Sequence, residues 1–449
     1  MEYSAYGISA CDRARYRAGK AINRRSASDD VSVRKLSLVR KGKVTPLRIV
    51  VVGTVASMPY AGMAWMHMQI AAGLRRLGHD VYYMEVSSVW PYDPIRKMKV
   101  NDSNYAVPYL ASVADAFDFA DRWAYRRSYS DHEWLGMSKA KAESLLADAD
   151  LVLNVAGATR IRTKQQLKVR RLVYYGTDPV YHELAFANRD GIARRTIDQH
   201  DDFVTYGENI GSADCPIPSL PRLRSKSRQP VLIDFWQDGP PTRKEFTTVC
   251  DWKQGGHDIQ FAGETYYWSK DREFMKFIEL PKLVTEPIEL SMGLVDTKVT
   301  RPGFGDLIPA QGMTEEELVL LMSNGWKLND AHAFTTDPWS YRSYIIASRG
   351  EFTVARDQNV RLKSGWFSER SACYLAAGRP VITQDTGFGK VLPTGEGLFA
   401  FNTMDDILTA FEAIRSDYDR HSRSALAIAN EYFRAETVLA KVIEDLNAE

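Results

Sequence analysis

The stretch GWFSERSACYLAAGRPVITQDTGFG, residues 365–389, decides the fold. Ser368 precedes a helix-forming run that stops at Gly378, so we predict a helix with a serine at its N-cap. Pro380 then opens the apolar run PVITQD, which is typical of a buried strand. A helix that leads directly into a buried strand indicates a parallel α/β sheet.

The same alternation starts at residue 47. LRIVVVG reads as a strand, AWMHMQIAAGLRRL as a helix and DVYYMEVS as the next strand, which implies a parallel pair with a right-handed crossover. The proline-rich stretch CPIPSLPRLRSKSRQP, residues 215–230, interrupts the pattern and is predicted to be a linker. The alternation then restarts. Because 449 residues exceed one ordinary core, we predict an α/β protein with two Rossmann-like, doubly wound domains that face each other across a cleft.

The linker and the two alternating regions give the predicted domain boundaries. Residues 46–220 form the first Rossmann-like domain, residues 221–425 the second, and residues 426–449 a helix that closes the chain. Residues 1–45 are rich in basic residues and poor in apolar periodicity, which predicts a disordered extension. Its charge would suit nucleic acid or anionic lipid, but a plain solvated extension explains it as well. We therefore do not expect contact with nucleic acid.

The overall composition is that of a globular protein, with 45% hydrophobic and 26% charged residues and a net charge of +1. The four cysteines, at positions 11, 215, 250 and 373, are far apart, so neither a disulfide framework nor a metal site is predicted. The longest apolar run is too short to span a bilayer. These features favour a cytoplasmic protein; they do not predict an oligomeric state.

The opening stretch also predicts a ligand site. The first turn of a helix carries unpaired N–H groups and a partial positive charge, which attract phosphate, and an arginine there adds a fork of donors. A carboxylate beside them suits sugar or ribose hydroxyls. In open α/β sheets, ligands bind beyond the carboxyl ends of the strands. The predicted ligand groups are those of Ser368, Glu369, Arg370, Ser371, Asp385, Thr386, Gly387 and Phe388. An ordinary capped helix followed by a buried strand is the alternative.

A helix, the run AAGRPVI and a Thr/Gly turn are similar to the donor-binding segment of nucleotide-sugar glycosyltransferases with the two-domain GT-B architecture, in a divergent bacterial branch. The segment of that family resembles EGFGLPxLEAMAxGxPVI. Its two glutamates would fall on Gly365 and Cys373, where this chain departs from the pattern. The resemblance implies transfer of a sugar from a nucleoside diphosphate to a hydroxyl of a small molecule or glycan. The donor would be a co-substrate, and no other cofactor is implied.

Departure of a nucleoside diphosphate builds up negative charge, which fixed donors must stabilise. The chain lacks a metal-binding DxD motif placed for this role, so the reaction is expected to be independent of metal and to use basic side chains. Lys253, in the turn WKQGG, is placed like the basic residue of the family, and Arg349 and Arg370 are further candidates. A solvated loop lysine is the alternative for Lys253.

The resemblance assigns the acceptor to the first domain. A catalytic base belongs at the carboxyl end of a strand, facing the cleft. Asp178, directly after the strand RRLVYYG, is the first choice, and His182 and His67 are the others. Asp178 could instead cap a turn, with His182 facing solvent. Residues predicted to border the acceptor are Tyr60, Gly62, Trp65 and Glu208. The alternative for the aromatic residues is a place in the core.

Three rival functions remain at this stage. An NAD-dependent oxidoreductase needs a GxGxxG turn after its first strand, which this chain lacks. A sugar-nucleotide epimerase would bind its donor in the same way. A nucleotide-sugar-binding protein without catalysis fits the missing glutamate pair.

Overall fold

The computed structural model describes residues 45–86, 89–159, 168–293 and 314–448. The strands are β1 (Arg48–Val52), β2 (Asp80–Glu85), β3 (Tyr92–Asp93), β4 (Met98–Lys99), β5 (Trp123–Arg126), β6 (Trp134–Leu135), β7 (Leu151–Val155), β8 (Leu172–Gly176), β9 (Asp202–Thr205), β10 (Leu223–Lys226), β11 (Phe246–Val249), β12 (Ile259–Phe261), β13 (Glu264–Tyr266), β14 (Ile288–Met292), β15 (Lys327–Asp330), β16 (Gly350–Thr353), β17 (Val381–Gln384) and β18 (Leu398–Phe401).

The α-helices are α1 (Ala61–Arg76), α2 (Ala106–Ala116), α3 (Lys139–Asp148), α4 (Tyr181–Ala187), α5 (Gly191–Asp198), α6 (Asp271–Met275), α7 (Leu280–Leu283), α8 (Glu315–Ser323), α9 (His332–Thr335), α10 (Pro338–Ala347), α11 (Asp357–Arg361), α12 (Glu369–Ala376), α13 (Met404–Ser416), α14 (Tyr418–Ile428) and α15 (Ala435–Asn447). A π-helical turn, Ala429–Phe433, joins the last two.

The first half of the chain builds an eight-stranded sheet in the order β10-β9-β8-β7-β1-β2-β5-β6. Every neighbouring pair is parallel except β5 and β6. Both faces are covered, because alternate residues of β1 enter different cores. Ile49 and Val51 pack in the cluster that contains α1, whereas Val50 and Val52 pack in the cluster that contains α3. This is the arrangement of a doubly wound sheet.

The second sheet has six parallel strands in the order β15-β14-β11-β16-β17-β18. It too is covered on both faces. Val381 of β17 joins the core that includes α12, and its neighbour Ile382 joins the core that includes α13. The order places β11 and β16 at the centre, so the segments that follow these two strands lie in the middle of the carboxyl edge.

The carboxyl edges of the two sheets face each other. Asp178, which follows β8, is ion-paired with Arg356, which follows β16. Asn209, after β9, donates to the carbonyl oxygen of Gly387, after β17. The indole of Trp366 donates to the carbonyl oxygen of Thr177. The predicted fold class, two Rossmann-like doubly wound units that face each other across a cleft, is therefore confirmed.

The predicted linker and the last helix both pack with the first sheet. Strand β10 lies inside the stretch predicted to be a linker, yet it pairs with β9, so the prediction of irregular structure there is wrong. The chain passes to the second sheet only after Lys226. Helix α15 packs on α1 and β10. Gly73 permits this contact, since a Cβ at that position would lie 2.5 Å from Cδ1 of Leu439.

Two antiparallel hairpins were not predicted. One pairs β3 with β4 beside the first sheet, and the other pairs β12 with β13 and packs against α4. Both are short and polar, so their period-two pattern is weak in the sequence. Among the described residues, no helix is long and apolar enough to cross a bilayer.

Candidate functional site

Helix α12 begins at the cleft, and its first turn lies against the carboxyl edge of the second sheet. Ser368 holds the N-cap position with an extended backbone, but its side chain makes no capping hydrogen bond. The hydroxyl of Ser371 is fully buried and has no hydrogen-bond partner within the described chain. The start of this helix thus carries a buried hydroxyl that no described group satisfies.

Arg370, which was predicted to bind the donor, uses its guanidinium for hydrogen bonds within the protein. Its Nε donates to Oε1 of Glu351 at 2.5 Å, and Glu351 is fully buried. Its two other nitrogens donate to the carbonyl oxygen of Val249 at 2.6 Å and to the hydroxyl of Thr353 at 3.0 Å. Burial opposes the charge, but the Glu351 carboxylate leaves the pKa of Arg370 raised. The guanidinium therefore fixes α12 to the ends of β11 and β16.

Two cations that the sequence analysis missed lie at this edge. Lys270 is 9% exposed, and within the described ranges no carboxylate is within ion-pair distance of its ammonium group. Burial and the guanidinium groups of Arg370 and Arg356 together lower its pKa to about 7, against a smaller opposing effect of the Glu351 carboxylate. Arg356 lies over the Trp268 ring at 3.6 Å and donates to Gln254, while its Nε is buried without a partner in the described structure.

The other predicted cations differ in their placement. Lys253 lies in the loop after β11, as predicted, and forms a 2.6 Å ion pair with Glu317. Arg349 precedes β16, so it lies at the amino edge of the sheet, where it stacks on Tyr418 at 3.6 Å. The structure does not bring Arg349 to the cleft, and its assignment to the donor is corrected for that reason.

Glu369 links the helix start to the first domain. Its Oε1 accepts from Nε2 of Gln69 at 2.7 Å and from the thiol of Cys373 at 3.3 Å. Burial raises the pKa of Glu369 to about 7. The amide oxygen of Gln69 in turn accepts from the Leu232 N–H and the Trp236 indole, each at 3.1 Å. One side chain of α1 therefore joins α12 to the segment between the sheets.

The turn of residues 385–388 is packed rather than open. Gly387 has φ +86°, and its N–H donates to Oδ1 of Asp385 at 2.7 Å. Its carbonyl accepts from Asn209 at 3.0 Å. The hydroxyl of Thr386 donates to a carbonyl of the neighbouring loop, and Phe388 is 1% exposed. This turn closes the seam between the two sheets.

The predicted first-domain residues near the seam form ion pairs or lie among aromatic rings. Asp178 is 45% exposed and pairs with Arg356 at 2.5 Å. Glu208 pairs with Arg228 at 2.6 Å, and burial raises its pKa. His182 lies against aromatic rings of the first domain, and burial lowers its pKa to about 4, so it is neutral at pH 7.

Two predicted residues belong to the core instead of the cleft. His67 is fully buried beside Gly53, its Nδ1 lies 2.7 Å from the Met63 carbonyl, and burial lowers its pKa to about 4. Trp65 is fully buried among aromatic side chains and donates to the Pro338 carbonyl at 2.9 Å. Neither can reach a ligand in this arrangement. The alternative stated for Trp65, a core residue, is the one that the structure shows.

Tyr60 and Gly62 do border the cleft. The ring of Tyr60 stacks on Tyr92 at 5.5 Å and lies 6.3 Å from His332, which follows β15. Burial raises the pKa of Tyr60. A Cβ at Gly62 would meet no atom within 4 Å, so there is open space beside the start of α1.

No group of three or more His, Cys, Asp or Glu side chains suited to a metal ion occurs among residues 45–86, 89–159, 168–293 and 314–448. The residues that the sequence analysis missed are Lys270, Arg356, Gln69 and Asn209. The signal for Arg356 was its position after the strand GEFTVA, at the same edge as the other predicted groups.

The ion pair of Arg370 and Glu351 gives a prediction about stability. Replacing Glu351 by leucine leaves a buried guanidinium without its carboxylate and should cost about 3–5 kcal/mol in the free energy of unfolding. Glu317→Gln, which breaks the partly exposed pair with Lys253, should change it by about 1 kcal/mol or less. Thermal and urea unfolding would measure both. If Glu351→Leu unfolds like the parent chain, the ion pair does not hold α12 in place.

The fold has relatives among solved structures. The Anabaena protein Alr3699/HepE, solved in complex with UDP and glucose, superposes with a TM-score of 0.52 and 11% sequence identity over 89% of this chain and 99% of that chain. An alpha-glucosyltransferase in complex with UDP and a 13-mer DNA superposes with a TM-score of 0.52 and 9% identity over 90% and 100%. No family model and no curated protein sequence matches this chain. The chain thus shares the two-domain fold of the GT-B glycosyltransferases, to which its sequence was similar.

Proposed function

We propose that the protein is a metal-independent glycosyltransferase that moves a sugar from a nucleoside diphosphate to a hydroxyl of a small molecule or glycan in the cytoplasm. The observation that carries the proposal is the buried, unpaired ammonium group of Lys270 at the centre of the carboxyl edge. Arg356 and the first turn of α12 lie at the same edge.

A buried amine without a carboxylate is costly for the protein alone. Desolvation of a charge is offset only by a partner of opposite sign. Here Arg370 and Arg356 repel the charge, and the nearby Glu351 carboxylate, which would attract it, is already ion-paired with Arg370. A diphosphate would supply the missing negative charge. It would also accept from the backbone N–H groups of the helix start, whose N-cap side chain is not used for capping. Negative charge that develops on the leaving group would be stabilised by the same donors.

The other groups at the cleft are assigned to the sugar of the donor and to the acceptor. Glu369, held by Gln69, offers a carboxylate to donor hydroxyls beside the phosphate position. We assign Asp178 as the base that takes the proton of the acceptor hydroxyl, since it is an exposed carboxylate that follows β8 and faces the second domain. Tyr60 and the open space at Gly62 border the acceptor side. UDP is the first donor nucleotide to test, because HepE was solved with UDP and glucose.

A catalytically degenerate nucleotide-sugar-binding protein is the second candidate. It is favoured by Cys373, which stands where the family has a glutamate and which lies fully buried in α12. Donor hydrolysis and transfer assays with UDP-sugars separate this candidate from an enzyme, and the product of the same assays reveals an epimerase.

Binding of nucleoside diphosphates tests the donor site directly. We expect one of UDP, dTDP, GDP, ADP or CDP to raise the melting temperature, since about 100 times the dissociation constant adds about 2.7 kcal/mol. Lys270→Met should weaken that Kd by about tenfold or more, because a hydrogen bond to a charged group contributes about 1.5–3 kcal/mol. Lys441→Met, on the exposed side of α15, is the matched control and should bind as the parent does.

The same site should show a characteristic pH dependence. The pKa of Lys270 is about 7 in the free protein, and a bound diphosphate favours the protonated amine. The Kd should therefore be lowest below pH 7 and rise by up to about tenfold per pH unit above it. Titrations between pH 7 and 9 avoid ionisation of the phosphate itself, whose pKa is about 6. A slope that persists in Lys270→Met would show that another group is responsible.

Asp178→Asn separates two roles of that carboxylate. A base acts on the acceptor, so the substitution should lower kcat by about a hundredfold or more while the donor Kd stays within about threefold. If Asp178 only orients Arg356, the donor Kd should weaken and kcat should fall little. Steady-state kinetics with a saturating acceptor, together with donor titration, distinguish the two results.

A further inference from the structure

One small surface beside the cleft collects much of the exposed apolar area. Of the ten large hydrophobic residues that are exposed in the described chain, three lie in or directly before the β3–β4 hairpin: Val89, Ile95 and Met98. Ile95 is 75% exposed and Met98 is 44% exposed, and both lie near the turn of the hairpin. A fourth, Met58, lies beside the base of the hairpin, because the carbonyl of the preceding Ser57 accepts a hydrogen bond from the Tyr92 N–H.

The tip of the hairpin carries an exposed lysine, and hydrogen bonds from its backbone hold the turn in place. Residues 92–99 read YDPIRKMK, which gives a net charge of +2. Arg96 is ion-paired with Asp93 and Asp102, so the exposed positive charge at the turn is that of Lys97. Lys97 is exposed at the turn with φ 54° and forms no ion pair with the described residues. Asp93, which is buried, accepts from the backbone N–H groups of Ile95 and Arg96 at 2.8 and 3.0 Å. The apolar side chains are therefore held outward rather than left to collapse.

Aromatic side chains occupy the base of the same hairpin. Trp90 and Tyr92 are half-buried there, and Tyr92 stacks on Tyr60 at the mouth of the cleft. An exposed apolar tip, basic flanks and an aromatic base are the order of groups that a lipid interface requires, from acyl chains through anionic headgroups to the aqueous boundary. A nucleic acid would be held by the cations without using Ile95 or Met98.

We propose that the hairpin of residues 92–99 docks the protein on the surface of an anionic phospholipid bilayer, with Ile95 and Met98 in contact with the lipid. The docking does not rest on the proposed function. Tyr60 lies between Tyr92 and His332 of the second domain, so docking places the mouth of the cleft at the bilayer. Under the proposed function, that position favours an acceptor carried by the membrane.

A second exposed apolar surface supplies the matched control. Val319 and Met322 of α8 are 58% and 61% exposed, as much as the hairpin side chains. The first turn of that helix, however, carries Glu315, Glu316 and Glu317. An acidic surface is repelled by an anionic bilayer, so this helix should not contribute to binding.

Vesicle flotation with the full chain tests the proposal. Vesicles of phosphatidylcholine with about 30% phosphatidylglycerol should bind the parent chain at least about tenfold more strongly than phosphatidylcholine alone. Ile95→Ser combined with Met98→Ser should lower binding to the anionic vesicles by about tenfold or more, and Lys97→Glu should lower it as well. Val319→Ser combined with Met322→Ser should bind as the parent does.

Two results would overturn the docking role. One is a parent chain that does not float with anionic vesicles, and the other is a hairpin variant that floats as well as the parent, in which case the lipid contact lies elsewhere, for example in residues 1–45. The melting temperature without ligand, measured on the same variants, shows that they are folded. Its shift with nucleotide keeps the two proposals apart, because a chain without a nucleotide response can still float, and a chain that does not float can still bind nucleotide.

Discussion

The ion pair between Arg370 and Glu351 is the constraint on which the candidate site depends. Arg370 also donates to the end of β11 and to Thr353 of β16, so a single side chain ties the first turn of α12 to the two central strands of the second sheet. Because Arg370 is held in this way, its positive charge stays next to Lys270. Two positive charges, on Arg370 and Lys270, therefore lie close together, and a bound anion would offset their repulsion.

The seam between the sheets extends the same constraint to the first domain. Gln69 accepts two hydrogen bonds from the segment between the sheets and donates to Glu369, and Asn209 binds the turn at Gly387. Neutral amides thus add to the ion pair of Asp178 and Arg356 in setting the relative position of the two cleft walls, and they satisfy donors and acceptors together without burying another charge. A movement of one sheet relative to the other has to break these bonds.

The sequence predicted the strands and the cleft because buried parallel strands are continuous apolar runs, as in β1, β7 and β8. It placed Lys253, Ser368, Glu369 and Asp178 correctly at strand or helix ends. It failed where the outcome depends on long-range contacts. Local pattern does not show that Arg370 would meet Glu351, or that Trp65 would be covered by residues of the second half. Arg349 was misassigned although the strand GEFTVA begins directly after it.

The absence of the two glutamates of the glycosyltransferase pattern can be explained by the charges already present at the site. Gly365 and Cys373 stand where the family has two acids, and Cys373 donates to Glu369, one turn earlier on the same helix. A glutamate at 373 would place a second carboxylate beside Glu369, whose pKa is already raised to about 7 by burial. Under the proposed function, the one carboxylate that remains on this helix, held by Gln69 and the thiol, is the group that binds hydroxyls of the donor. A cysteine in place of the second acid also leaves less negative charge near Lys270, which favours a ligand whose charge is concentrated in its phosphates.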